Sequence, residues 1–344
     1  MIGERGIFIG LTGLLLIVFL LSLALGPVSL AFEHVLKSLG YLLGIYAEAD
    51  AAQQQANLII GQIRLPRTLL GLAVGAVLAL SGVAMQGLFR NPLADPGLIG
   101  VSSGAALGAA VAIVGTTLVS IEIPLLWQPY VLSMCAFTGG LVITAMVYRL
   151  GRRDGQTHVA TMLLAGIALA ALAGALIGLF TYLADDATLR SLTFWNLGSL
   201  NGASYARLWP LLIITMGVAL WLPRRAKALN ALLLGESEAR HLGINTEQLK
   251  RELVFITALG VGAAVAAAGM IGFIGLVVPH LLRLIVGPDH RLLLPASALA
   301  GASLLLLADL IARLALAPAE LPIGIVTALI GAPFFLYLLL RSRI

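Results

Sequence analysis

Long apolar runs recur along this chain, separated by short polar stretches. A spanning helix needs about 20 predominantly apolar residues. The pattern predicts spans over residues 7–32, 69–89, 98–118, 130–150, 159–184, 206–222, 254–270, a shorter 277–286, 292–316 and 323–340. A half-length helical turn is expected around residues 189–197. No stretch alternates in polarity as the strands of an outer-membrane barrel do. The expected fold class is therefore all-α, a polytopic membrane protein with about ten transmembrane helices. The apolar run after Arg5 is longer than the core of a secretory signal, so it reads as a retained first transmembrane helix. Residues 1–344 form a single transmembrane domain in this reading, with a cytoplasmic segment at about 229–250 inside it.

Composition makes the bilayer the solvent. Of 344 residues, 60% are hydrophobic and 11% charged, against roughly 25% charged in soluble domains. Glycine is abundant, and Gly71 and Gly75, Gly100, Gly104 and Gly108, and Gly174 and Gly178 repeat at intervals of four. Helices in lipid pack through such small positions.

Charge then sets orientation. With a cytoplasmic N-terminus and ten crossings, Arg90, Arg149, Arg152, Arg153, Arg224, Arg225, Lys227, Arg240, Lys250, Arg251, Arg291, Arg341 and Arg343 fall inside. Outside lie Lys37, Arg64, Arg67, Arg190, Arg207 and Arg313, and the acidic residues Glu33, Glu48, Asp50, Glu122, Asp185, Asp186 and Glu320 lie mostly on that face as well. Cytoplasmic loops are the ones enriched in Lys and Arg, so both termini are expected to be cytoplasmic. The net charge of +5 is thus a topology signal rather than a nucleic-acid footprint. The single cysteine, Cys135, permits no disulfide framework. No GxxxxGK[ST] or HExxH sequence occurs, and His34, His158, His241, His280 and His290 are scattered. No catalytic set, metal site or cofactor is expected in this chain.

Four constellations remain. Residues 86–98 carry Pro92 and Asp95-Pro96, which break the helix and predict a structured re-entrant or cytoplasmic turn, with Asp95 able to cap the next helix. Residues 232–244 mix charges of both signs with apolar positions, which favours a protein partner over a lipid surface. Residues 269–280 place three glycines and Pro279 between two apolar runs, a break tolerated at membrane depth only under protein or water cover. Asp309 and Arg313 stand i, i+4 near the outer end of a span. With Arg64 and Arg67 around Pro66 they suggest an arginine rim suited to carboxylates of an outside partner, or else ordinary interfacial anchors.

At these motifs the chain resembles the FecCD-type permeases, the membrane subunits of bacterial ABC importers for haem, iron–siderophores and cobalamin. The likeness rests on Arg64-Leu65-Pro66-Arg67, residues 86–104, Leu234-Gly235-Glu236 with Ala239-Arg240-His241-Leu242-Gly243, residues 272–283 and Glu320-Leu321-Pro322-Ile323-Gly324. Residues 35–62 are longer and more polar than that family leads one to expect. The resemblance implies a homodimer with ten helices per subunit, two ATP-binding cassette subunits on the cytoplasmic side that hold ATP and Mg, and a periplasmic substrate-binding protein outside. It implies that Arg64, Arg67 and Arg313 meet the binding protein. Leu234, Gly235, Glu236, Ser237, Ala239, Arg240, His241, Leu242 and Gly243 would couple to the ATPases, and His158, Val159, Ala160 and Thr161 would sit at the cytoplasmic gate. Cobalamin permeases carry small hydroxyl residues at that gate, where this chain has Val159 and Ala160, and the 91–104 motif looks closest to haem-importing members. Haem is the expected substrate. An ion-coupled secondary transporter is the rival reading, but Asp309 is the sole acidic residue inside a firmly predicted span.

Overall fold

The computed structural model describes residues 3–46, 49–118, 124–125 and 127–341. Glu48, Glu122 and Arg343 lie outside them. The chain begins with α1 (Glu4–Ala24), α2 (Phe32–Leu42) and α3 (Ala51–Leu58), then a π-helical turn over Ile59–Arg64 that runs into α4 (Leu65–Leu88). A 3-10 turn, Pro96–Ile99, precedes α5 (Val101–Leu118) and α6 (Gln128–Leu150). A small antiparallel hairpin, β1 (Arg152–Arg153) with β2 (Gln156–Thr157), leads to α7 (Val159–Leu183), α8 (Asp186–Asn196) and α9 (Tyr205–Trp221). The rest is helical: α10 (Ala226–Leu234), α11 (Glu236–His241), α12 (Thr246–Ala268), α13 (Ile274–Val286), α14 (His290–Leu314) and α15 (Ile323–Arg341).

Every predicted span falls on one of these helices. Seven are long and apolar enough to cross a membrane, and the segments in α5, α13 and α15 are shorter apolar helices. Helix α4 is the axis of the bundle, almost wholly buried from Leu70 to Leu88. Its glycines explain how neighbours come so close. A Cβ on Gly75 would run into the Gly301 carbonyl of α14, and one on Gly82 into the Gly275 carbonyl of α13. Gly104 and Gly108 likewise meet the α6 backbone at Gly139 and Cys135. The outward sides of the helices present large apolar groups such as Ile213, Phe255 and Leu284. In water such a surface would be an aggregation liability; against acyl chains it is the favourable one.

Two expected boundaries move. Helix α1 stops at Ala24, not near residue 32, because Pro27 lacks an amide and disfavours helix at Gly26. The polar stretch 35–62 becomes α2, α3 and the π turn, and α3 is capped by the Asp50 carboxylate accepting from the Gln53 amide at 2.7 Å. The break after α12 is real. Gly269 adopts a left-handed φ of 72°, and the non-glycine Phe273 one of 69°. The unwound stretch between them is covered by the end of α8 and the start of α15: the Ser199 amide donates to the Ala268 carbonyl (2.8 Å), and the Gly324 amide to Leu197 (3.1 Å).

The bundle has two distinct ends. Arg67 near the start of α4 meets Asp309 near the end of α14. At the other end of α4, Gly87 packs beside Leu229 of α10 and His290 of α14. The arginine cluster and the α10–α11 segment are therefore separated by the length of α4.

Candidate functional site

At the first end, three arginines converge because the ends of α1, α4 and α14 do. A helix leaves its last carbonyls without internal partners, and α1 ends against two guanidinium groups. Arg64 Nη1 donates to the carbonyls of Leu23 (2.6 Å) and Ala24 (2.7 Å), and its Nη2 to Val28. Arg313 Nη1 donates to the Leu25 carbonyl at 3.2 Å, and Nη2 to Ser22 Oγ at 3.0 Å. The expected i, i+4 pair forms, with Arg313 Nε 3.0 Å from Asp309 Oδ2. Arg67 closes the network, donating from Nη2 to Asp309 Oδ1 (2.9 Å) and from Nη1 to both Glu320 oxygens (2.9 and 3.0 Å).

Within the single chain the arginines of the expected rim are turned inward. Arg64, Arg67 and Arg313 are only 5%, 8% and 3% exposed. Most of their donors are taken up by backbone carbonyls at and just past the end of α1, by Ser22 Oγ and by carboxylates of their own chain, because a buried guanidinium without such partners would be prohibitively costly. The cations left free at this end, among the described residues, are others. Arg190 of α8 is exposed, and Arg207 lines a cavity of about 780 Å³ with Trp195, Asn201 and Glu320. The exposed Asp185 carboxylate caps α8, and the amide of Thr188 holds it below the usual carboxylate range.

The opposite end is built on a glycine break. Gly235, at φ 127°, takes a conformation that side chains resist, and it separates α10 from α11. Gly243, at φ 81°, ends the second turn. Between them Ala239 is buried as an anchor, while Leu234, Ser237, Glu238, Arg240, His241 and Leu242 are exposed. Two apolar groups flanking a mixed-charge helix make a surface suited to a protein partner.

The hairpin lies at this same end and delivers the predicted gate segment to it. His158 donates its amide to the Gly151 carbonyl (2.9 Å), closing the hairpin just before α7. Val159 is half-buried, whereas Ala160 and Thr161 are exposed. Asp95 caps as expected, accepting from the Gly97 amide at 2.7 Å, though the element it caps is the 3-10 turn before α5.

Sequence reading missed the roles of Lys250 and Asn230 here. Lys250, counted as a topology charge, is 1% exposed and bonded to Glu236, Glu247 and Thr157. Asn230 of α10 donates to Asp289 (2.6 Å) and accepts the His290 amide (2.9 Å), stapling α10 to α14. The one available signal was Glu247 standing three residues before Lys250.

Helices of bilayer-crossing length, with an exposed mixed-charge segment at one end and a charged cluster and cavity at the other, make this an all-α polytopic membrane protein. Comparison with known proteins makes the class specific: the FecCD transport family matches residues 14–341, and the chain belongs to that family. It is 49% identical over 281 residues to the hemin transport system permease protein HmuU of Yersinia pestis, covering 82% of this chain and 83% of that one. It is 48% identical over 296 residues to the vitamin B12 import system permease protein BtuC of Salmonella typhi, covering 86% and 88%. Among solved structures, one described as an inward-facing conformation of a metal-chelate type ABC transporter superposes with a TM-score of 0.83 at 36% identity, over 98% of this chain and all of that one. The chain is thus an ABC importer permease, and ATP hydrolysis belongs to separate subunits.

Proposed function

We propose that this permease carries haem across the bacterial inner membrane as a homodimer, with its termini in the cytoplasm. Two ATP-binding cassette subunits, holding ATP and Mg, seat on α10–α11, and a periplasmic binding protein docks on the arginine end. The observation that carries the reading is the placement of two exposed recognition surfaces at opposite ends of one bundle. The distribution of Lys and Arg supports the orientation.

The homodimer is supported by α7. Over 25 residues it buries only Met162, Gly166, Leu169 and Ala173, and Gly174 and Gly178 face open space. Small residues in lipid favour close helix contact, and a second copy supplies it, placing a path along the dimer axis. Docking at the arginine end falls to Arg207 and Arg190, with Arg67 reaching the surface through Glu320; Arg64 and Arg313 frame that surface from below. Closure of the ATPases on ATP then reaches the bundle through α11, and ATP shifts the equilibrium only as far as it distinguishes the two states.

Haem is favoured over cobalamin and siderophores by the gate. Val159 and Ala160 give its mouth apolar surface, suited to weak contacts with a planar apolar ligand. Uptake into proteoliposomes tests both levels. Haemin uptake that needs ATP, the ATPase and the binding protein supports the proposal. ATP-driven uptake of cobalamin or a ferric siderophore in its place keeps the importer and overturns haem. Uptake driven by a proton or sodium gradient alone overturns the whole reading.

A further inference from the structure

Lys250 is the most deeply buried cation at the α11 end, and its three ammonium protons reach three different elements. Nζ lies 2.6 Å from Glu236 Oε2 on α11, 2.9 Å from Glu247 Oε1 on its own helix α12, and 3.0 Å from the Thr157 carbonyl on β2. Glu247 turns its other oxygen, Oε2, to the Thr157 amide at 2.8 Å. Thr157 is thus gripped at both its backbone groups, and among the described residues the hairpin's polar attachments to the rest of the bundle are made there. Residue 158, the next in the chain, begins the gate segment.

We infer that Lys250 is a positioning residue that makes α11 and the hairpin before α7 move as one body, so that displacement of the ATPase-docking helix is delivered to the gate. The inference rests on the importer reading and adds to it the route of transmission. Its physical basis is the burial. An ammonium at the surface exchanges partners with water at little cost, so an exposed bridge yields under load. Lys250 is 1% exposed, and separating it from Glu236 or Thr157 leaves one of its ammonium protons without a partner where water does not reach it. The cheaper response to a push on α11 is for the whole clip to shift. The neighbouring contacts act alongside: Arg240 holds Thr246 Oγ1 at 3.2 Å, and Arg225 pairs with Glu252 at 2.9 Å, both tying this end to α12.

The test uses the full complex, permease with ATPase and binding protein, in lipid nanodiscs. Cys135→Ser removes the native thiol, and nitroxide labels go on Ser237→Cys of α11 and Gln156→Cys of the hairpin, both exposed positions. With Lys250 present, the label-to-label distance is narrow and unchanged by ATP binding. With Lys250→Met it broadens and changes with ATP, and haemin taken up per ATP hydrolysed falls in matched proteoliposomes. Glu247→Gln, which strands no buried ammonium, serves if Lys250→Met does not assemble, and gives an intermediate broadening and loss. A distance that changes with ATP in the unaltered protein overturns the inference. So does a Lys250→Met complex that keeps both the narrow distance and full uptake per ATP. If the unaltered complex takes up no haemin on ATP, the functional reading fails, while the label distances still report whether the clip holds.

Discussion

Arg67 and Asp309 stand 242 positions apart and meet side to side, the guanidinium donating from Nε and Nη2 to a single carboxylate oxygen at 3.1 and 2.9 Å. Asp309 is fully buried, and Arg313 contacts its second oxygen. One carboxylate thus joins two helices that never adjoin in sequence, and a third, α1, is drawn in by the arginines' remaining donors. The pairing is geometric bracing of the arginine end.

That bracing predicts a stability effect. Arg67→Met leaves Asp309 with Arg313 as its one cation and Glu320 with no ionic partner. Removing one member of a buried pair costs roughly 3–5 kcal/mol. Denaturant titration of the purified permease in detergent should show a loss of that order. A single variant as stable as the unaltered protein would show that the network contributes nothing to the fold.

Docking makes a separate prediction. Charges at a rim steer association and carry its salt dependence, and here the free ones are Arg190 and Arg207. Arg207→Glu should weaken binding of the periplasmic protein and flatten its dependence on ionic strength, with folding intact. Arg64→Glu or Arg313→Glu should instead reduce the yield of folded permease. Surface-immobilised nanodiscs measure the first, and size-exclusion profiles the second. Unchanged affinity for Arg207→Glu at low salt would move the docking surface elsewhere.

The contrast shows which relationships a sequence carries. The spans are legible because about 20 apolar residues in a row have one common use, and the Asp309–Arg313 pair because i, i+4 fixes a shared face. The fate of Arg64 and Arg67 is not. Their acceptors, Leu23, Ala24 and Glu320, become neighbours only after α1, α4 and the chain before α15 are packed. Lys250 was hidden for the same reason. Its position at the start of a span reads as a cytoplasmic charge, and only the folded hairpin supplies the Thr157 carbonyl. Gly174 and Gly178 illustrate the converse, a packing signal plain in sequence that meets nothing within 4 Å among the described residues.

Those glycines separate fold from assembly. Gly82→Leu drives a side chain into the Gly275 backbone, and α4 and α13 must part; overpacking of this kind costs about 1–3 kcal/mol or more. Gly178→Leu places a Cβ that meets nothing within 4 Å in a single chain. It should leave the subunit as stable as before, while lowering the dimer fraction seen by light scattering or crosslinking. Equal dimerisation of the Gly178 variant would place the dimer contact away from this face of α7.

The final prediction concerns α11. Glu236 serves the chain itself through Lys250, so its replacement confounds docking with internal loosening. Ser237, Glu238 and Arg240 point outward, and Leu234 and Leu242 flank them at 67% and 63% exposure. Replacing Leu234 and Leu242 with alanine removes the exposed apolar contact and leaves every ion pair of Lys250 in place. Burying two leucines is worth about 1.5–3 kcal/mol each. Affinity for the ATP-binding subunit should therefore fall by at least tenfold, the change that 1.4 kcal/mol produces, and haemin uptake should fall with it. Ser237→Ala and Glu238→Ala together should act more weakly, through partner choice and salt dependence. Titration of labelled ATPase onto permease nanodiscs reads both. If the leucine variant binds the ATPase as tightly as the unaltered permease, this surface is not where the motor sits.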